Sequence, residues 1–372
     1  MRFVVFTHSL ISDWNHGNAH FLRGVATELV ERGHEVRVFE PSGGWSVTNL
    51  LAEKGSAAIA DFEAAYPLIR SSFYDNVRSL DLNRALHEAD VVIVHEWNSH
   101  ELVREIGRHR SENPGLRLLF HDTHHRSATD PESMAAYDLE HYDGVLAYGQ
   151  VIRNIYCRNG WAKQAWTWHE AADARVFHPI SGIEKEGDLV WIGNWGDDER
   201  TEEIREFLIE PVKALGLKAK VFGVRYPQRA LEELASAGIE YGGWLPNYRV
   251  PEVFARYRVT VHIPRRPYAQ QLAGIPTIRP FEALACGIPL VSAPWEDRER
   301  LFRCGKDFLL VSDRAEMAEQ LERVLSDRSF ACSLAKSGLE TIQQRHTCAH
   351  RVDELLEIVQ SSEPLAMKKE AY

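Results

Sequence analysis

Thr277-Ile278-Arg279-Pro280-Phe281-Glu282-Ala283-Leu284-Ala285-Cys286-Gly287-Ile288-Pro289-Leu290-Val291-Ser292 reads as a short helix that runs directly into a strand. Pro280 suits a first helical turn, where its missing N–H costs nothing, and Gly287 suits the residue just past a helix end. Ile288–Ser292 is an apolar run of the kind found in a strand covered on both faces. A helix starting near Pro280 presents free amides and the positive end of its dipole, both suited to a diphosphate. Glu282, read into the first turn, is stabilised there and can accept two vicinal hydroxyls. The plainer alternative is that Glu282 only complements the dipole and Arg279 is a solvated charge; periodicity does not choose between them.

The same alternation extends in both directions. Arg2–Phe6, Glu35–Phe39, Ala89–Val94, Leu116–Phe120 and Gly144–Tyr148 read as strands, with helical periodicity over His20–Arg32, which stops at Gly33, and over Leu102–His109. The pattern restarts with strands at Asp188–Gly193, Lys218–Phe222 and Arg258–Ile263 and helices at Thr201–Leu215, Arg229–Ala237, Glu316–Leu325 and Ser329–Arg345. Such a succession builds α/β domains with parallel, doubly wound sheets, whose ligands bind at the carboxyl ends of the strands. The break in pattern falls near Asp173–Glu184, where Pro179, Ser181 and Gly182 interrupt it. This gives an expected division into 1–175, 176–346 and a closing segment 347–372, with a polar tail over Glu363–Lys369.

Length and composition agree. A chain of 372 residues suits two domains at roughly 100–200 residues each. The 44% apolar and 26% charged content is that of a globular protein. No window approaches the ~20 apolar residues of a spanning helix, and Met1–Phe6 reads as a first strand rather than a leader. Five scattered cysteines without a C-x-x-C pair point to reduced thiols, so a cytoplasmic location is expected. The net charge of −11 argues against a nucleic-acid partner and leaves a phosphate-bearing small ligand open.

The Thr277–Ser292 segment resembles the signature E-x7-E-A-x-A-x-G-x-P-V-V of the group 1 glycosyltransferases of the GT-B fold. Its form R-P-F-E-A-L-A-C-G is closest to the branch of spore-maturation CgeB-like proteins. The resemblance implies two facing Rossmann-like domains with the active site in the cleft between them, and a bacterial-type enzyme that moves a sugar from a nucleotide-sugar donor. It implies that Glu282 holds the donor ribose and that Thr277, Ile278, Arg279 and Phe281 lie along the phosphate and sugar. The signature's first glutamate falls at position 274, which is Gly274 here, so the sugar-end contacts and retaining stereochemistry do not carry over directly. His16-Gly17-Asn18-Ala19-His20 with Glu31-Arg32-Gly33-His34-Glu35-Val36 resembles the family's opening loop and helix, which places Gly17 and Asn18 beside the donor. His169–Asp173 through Pro179 resembles the hinge before the second domain. Asp188–Gly193 followed by Arg200 resembles the diphosphate-binding strand, with Asn194 in place of the usual arginine. Tyr241-Gly242-Gly243-Trp244-Leu245 resembles the segment beside the nucleobase. Gln344–Arg351 resembles the start of the closing helix that returns to the first domain.

Leu118-Leu119-Phe120-His121-Asp122-Thr123-His124-His125 follows a buried strand. Adjacent histidines do not converge on one point of a regular element, and no H-x-x-x-H or cysteine partner is near, so no metal site and no cofactor are expected. The resemblance maps a donor-contacting catalytic histidine onto His121, with Asp122 beside it. His8, His95 and Glu96 also end strands and are candidates to face the acceptor, whose nature (sugar, glycan, lipid-linked or small molecule) is open. Two rival readings remain: a sugar-nucleotide epimerase of the same fold, and a degenerate nucleotide-sugar-binding protein, favoured by Gly274 and Asn194.

Overall fold

A computed structural model of the chain describes residues 1–196 and 198–361; the tail Glu363–Lys369 lies outside them. The chain divides into two compact units, one of Met1–His169 with the segment from Cys348 onward, the other Glu170–Thr347.

The first unit is built on seven parallel strands: β1 (Arg2–Phe6), β2 (Glu35–Pro41), β3 (Ser71–Tyr74), β4 (Val91–His95), β5 (Arg117–Asp122), β6 (Gly144–Ala147) and β7 (Ala165–Thr167). Their order is β3-β2-β1-β4-β5-β6-β7, so the winding reverses between β1 and β4. The apolar run of β4 is buried along its whole length, as a central parallel strand requires. The helix Ala19–Glu31 ends where Gly33 takes φ +82°, a left-handed conformation open to glycine. The closing helix Cys348–Ser361 lies against it: Arg32 ion-pairs with Asp353 and donates to the Ala349 carbonyl at 3.0 Å, while Trp168 Nε1 donates to the Arg351 carbonyl at 2.8 Å. Val352 and Leu355 of this helix are fully buried.

The second unit has β8 (Gly187–Ile192), β9 (Ala219–Phe222), β10 (Ile239–Tyr241), β11 (Tyr257–His262), β12 (Leu290–Ser292) and β13 (Leu309–Leu310), ordered β10-β9-β8-β11-β12-β13, all parallel. Its reversal falls between β8 and β11. The helical stretch Thr201–Leu215 contains a π-turn at Arg205–Ile209 just ahead of Pro211; proline has no N–H for the ladder and crowds the preceding turn, and a widened turn relieves both.

The helix of the opening segment spans Ile278–Ala285, with Thr277 as its N-cap. It begins two residues before Pro280, so Glu282 belongs to the second turn and not the first. The dipole argument for that carboxylate is thereby replaced by side-chain pairing, described below.

Because Leu355 fastens the closing helix to the first unit, Leu355→Ala should cost about 2–5 kcal/mol, read as a lower urea midpoint of that unit. A midpoint equal to wild type would contradict this packing.

Candidate functional site

Three neighbouring strands of the second unit run out into glycines. Gly193 N donates to the Phe222 carbonyl at 2.8 Å, and Gly223 N to the Gly243 carbonyl at 2.9 Å. A Cβ on Gly223 would sit 2.2 Å from the Gly193 carbonyl oxygen, so only glycine permits this backbone contact. Asn194 then serves as a bracket. Its Oδ1 accepts from Val224 N at 2.8 Å, and its carbonyl accepts from Arg200 Nε at 3.1 Å.

Arg200 also donates from Nη1 to the Ile263 carbonyl at 2.8 Å. Asn194 follows β8 and Ile263 follows β11, so this one guanidinium spans the point where the strand order reverses. The side chain is half-buried and lies 5.1 Å over the Trp191 ring. Among the described residues no carboxylate stands within ion-pair distance of it, whereas its neighbour Arg265 pairs with Glu199 at 3.1 Å. Burial and the charge of Arg265, then Arg279, pull its pKa down to about 9, which leaves it cationic at neutral pH. The same surroundings hold His262 neutral: burial first, then Arg200 and Arg279, push its pKa to about 3. Gly196, at φ +91°, passes close by; a Cβ there would come within 3.3 Å of Arg200 Nε and 3.5 Å of Arg265 Nε.

The helix Ile278–Ala285 opens on strained backbone. Thr277 has φ +59° and ψ 177°, a region occupied essentially by glycine alone and costing about 1–3 kcal/mol for other residues. Three residues earlier, Gly274 has φ +108°, and a Cβ there would lie 3.2 Å from Glu299 Cγ. A glutamate at 274 therefore does not fit unless Glu299 moves and the backbone changes. Glu282 is fully buried. Its Oε1 accepts from Asn247 Nδ2 at 2.8 Å, and Oε2 is ion-paired with Arg279 one turn away. A buried carboxylate needs such partners. Ile278 is buried and Arg279 half-buried, whereas Phe281 points inward onto Phe302 and His346, with ring centroids 5.2 and 5.6 Å apart. Trp244 and Leu245 follow β10 and are both half-buried.

In the first unit, the loop leading to Gly17 and Asn18 is held by buried Arg23. That side chain donates to the Leu10 and Ile11 carbonyls at 2.7 Å each and ion-pairs with Asp13 at 2.8 Å. Gly17 is exposed, and Asn18 is half-buried at the start of the first helix. His121 lies deeper. It is fully buried and lines a small apolar cavity with Val5, Leu22, Val25 and Trp168, and neither ring nitrogen has a hydrogen-bond partner. Burial pushes its pKa to about 3. Asp122 is also fully buried and accepts from His124 N at 3.1 Å and from Tyr156 Oη at 3.0 Å; burial raises its pKa to about 6. Glu96 is pushed up by burial and by Asp122, yet both its oxygens accept donors, Oε1 from Thr123 Oγ1 at 3.1 Å and Oε2 from Arg126 at 2.7 Å. Among the described residues no group of three or more His, Cys, Asp or Glu is arranged to hold a metal ion.

The structure thus gathers Arg200 and Arg279, with Glu282 and the Thr277 helix start, on the second unit; His121 and Asp122 lie in the core of the first. Arg265, His262 and Asn247 were not singled out in the sequence. His262 ends β11 and Arg265 comes shortly after it, a positional signal; Asn247 is set by tertiary contact alone.

The fold is GT-B. Sucrose-phosphate synthase from Thermosynechococcus elongatus superposes with a TM-score of 0.65 at 14% identity over 97% of this chain and 98% of that one. Anabaena HepE, in complex with UDP-glucose, gives 0.68 at 14% identity over 97% and 100%. An alpha-glucosyltransferase in complex with UDP and DNA gives 0.66 at 13% identity over 97% and 100%. Residues 200–357 match the family described as glycosyl transferase-like. Over those residues the chain is similar to that family, and the solved structures share its fold. No curated protein matches it, and no helix among the described residues is long and apolar enough to cross a membrane.

The buried His121 gives a pH test. An imidazole held below its ordinary value of 6.5 stabilises the native state fully above pH 6.5, and that contribution is lost as pH falls, because only the unfolded chain then takes up the proton. Between pH 6.5 and 4, wild type should lose up to about 3 kcal/mol relative to His121→Leu. Parallel stability curves for the two proteins would contradict this environment.

Proposed function

We propose that the protein transfers a sugar from a nucleotide-sugar donor to an acceptor hydroxyl, without a resident metal ion. The observation that carries the reading is Arg200: a fixed guanidinium, bonded to carbonyls on both sides of the strand reversal and, among the described residues, without a carboxylate at ion-pair distance. A guanidinium fork matches phosphate oxygens, and ligands of doubly wound sheets sit at such a reversal. UDP and UDP-glucose bound to proteins of the same fold support the donor class.

In this reading the diphosphate lies on Arg200 and Arg279, against the free amides at the start of the Ile278 helix. Pro276 has no N–H to offer. As the bond from the anomeric carbon to the phosphate oxygen breaks, negative charge grows on the leaving diphosphate, and these groups stabilise it. Glu282 accepts the ribose hydroxyls, and Arg279 turns from that carboxylate to the phosphate when donor binds. Trp244 and Leu245 flank the base. Gly17, Asn18, His121 and Asp122 of the first unit are the further donor-binding and catalytic candidates of this reading. Resemblance to the signature favours retention of anomeric configuration, a preference that Gly274 in place of its first glutamate weakens, and the form of residues 279–287 resembles the CgeB-like branch. Five cysteines without disulfides fit a cytoplasmic protein.

Thermal shift against UDP, GDP, dTDP and ADP and their sugar conjugates, with and without EDTA, tests this. One base should raise the melting temperature, by the equivalent of about 2.7 kcal/mol at a hundredfold excess over Kd. EDTA should not alter the shift, and Glu282→Ala should abolish it. No shift with any nucleotide would overturn the donor site. Conversion of a sugar nucleotide to its epimer without acceptor would favour the epimerase instead.

A further inference from the structure

The first unit has its own strand reversal, between β1 and β4, and a different chemistry occupies it. His8 follows β1, His95 ends β4, and Glu96 and Trp97 come directly after it. The rings of His8 and His16 are 3.9 Å apart between centroids, His8 and His95 5.7 Å, and His95 and His121 5.3 Å. His16, His95 and His121 are buried, and His8 is half-buried at the outer side. His8 Nδ1, His16 Nε2 and His95 Nδ1 have no hydrogen-bond partner. A buried polar atom left so is destabilising, a cost a ligand's hydroxyls would remove. His95 Nε2 stands 3.0 Å from Thr123 Oγ1, whose proton goes to Glu96; Thr123 therefore accepts from His95, and the Nδ1 of His95 is left as a bare acceptor. Beside these rings, Trp97 is 42% exposed, with Arg126 4.1 Å from its ring centroid and the His8 ring 6.1 Å away. Arg126 is already neutralised by Glu96 at 2.7 Å.

We propose that this crevice is a binding site for a neutral saccharide, stacked on Trp97 with its hydroxyls hydrogen-bonded to the imidazoles of His8, His16 and His95. Resting on the glycosyl-transfer reading, it names the acceptor class. A neutral imidazole offers one donor and one acceptor, the same pair a hydroxyl offers. Burial lowers the pKa of His8 to about 4 and that of His16 and His95 well below the ordinary value, so the crevice adds no positive charge that would select a phosphorylated ligand. An exposed indole next to polar rings gives an apolar sugar face somewhere to lie. The chain's charge of −11 disfavours a nucleic acid in the same place.

The test is isothermal titration of the full-length protein with maltose, cellobiose, lactose and sucrose, and with glucose 6-phosphate as the charged probe, each run with and without the nucleotide that gives the thermal shift. At least one neutral saccharide should bind, and Trp97→Ala, on a partly exposed ring, should weaken it at least about tenfold while nucleotide affinity stays at the wild-type value. His16→Gln should also weaken it. Nucleotide binding with no neutral saccharide bound would overturn this inference and leave the donor site standing. Binding of glucose 6-phosphate alone, or saccharide binding indifferent to both substitutions, would overturn it as well. Saccharide binding without any nucleotide binding would overturn the donor reading instead.

Discussion

One guanidinium holds together the carboxyl edge of the second sheet. Arg200 donates to the carbonyls of Asn194 and Ile263, which belong to strands whose connections leave in opposite directions. The crevice opened by that reversal would otherwise present two unpaired carbonyl ends. Bridged by a cation, it becomes electropositive, and the rest of the site follows from that. His262 stays neutral, Arg265 takes Glu199 as its counterion, and the buried Glu282 takes Arg279. Gly223 is where backbone passes too close for a side chain, and Gly193 is where the Trp191 ring does.

The two units share a topology and differ in electrostatics. At the reversal of the second sheet the groups are guanidinium ions; at the reversal of the first they are neutral imidazoles beside an indole. With a net charge of −11 overall, the cationic crevice is a local exception, and Arg200 within it is held by backbone carbonyls. A charge arranged this way can meet an anion without first breaking an ion pair, whereas Arg279 must give up Glu282 to do so. In the proposed donor site that difference makes Arg200 the anchor and Arg279 the adjustable contact.

Much of this was legible in the sequence because it depends on local rules. Apolar runs such as Val91–Val94 mark central strands, and Gly33 and Gly287 mark helix ends through their positive φ. Edge strands β3 and β7 have no such runs, since one side of each is open. The start of the Ile278 helix was misplaced because Thr277 adopts a conformation no propensity predicts for threonine. In β5 the period of two separates His121 from Asp122 but does not tell which face turns to the first helix, as both faces of a doubly wound sheet are covered. Resemblance offered Arg200 as the basic residue that follows the diphosphate-binding strand. Its function as a bridge needs Ile263, 63 residues away, and no local pattern carries that pairing. The glutamate missing at 274 has a physical counterpart in Glu299, which occupies the space beside that glycine.

The most direct test of the central claim is the ratio of affinities for a nucleoside diphosphate and its parent nucleoside, measured by titration calorimetry in wild type and in folded Arg200→Gln. Charged hydrogen bonds to the diphosphate should favour it by about 10- to 100-fold or more in wild type, and the substitution should remove most of that preference while nucleoside affinity holds. If Arg200→Gln keeps the full preference for the diphosphate, the guanidinium at the strand reversal is not the anion site and the account fails.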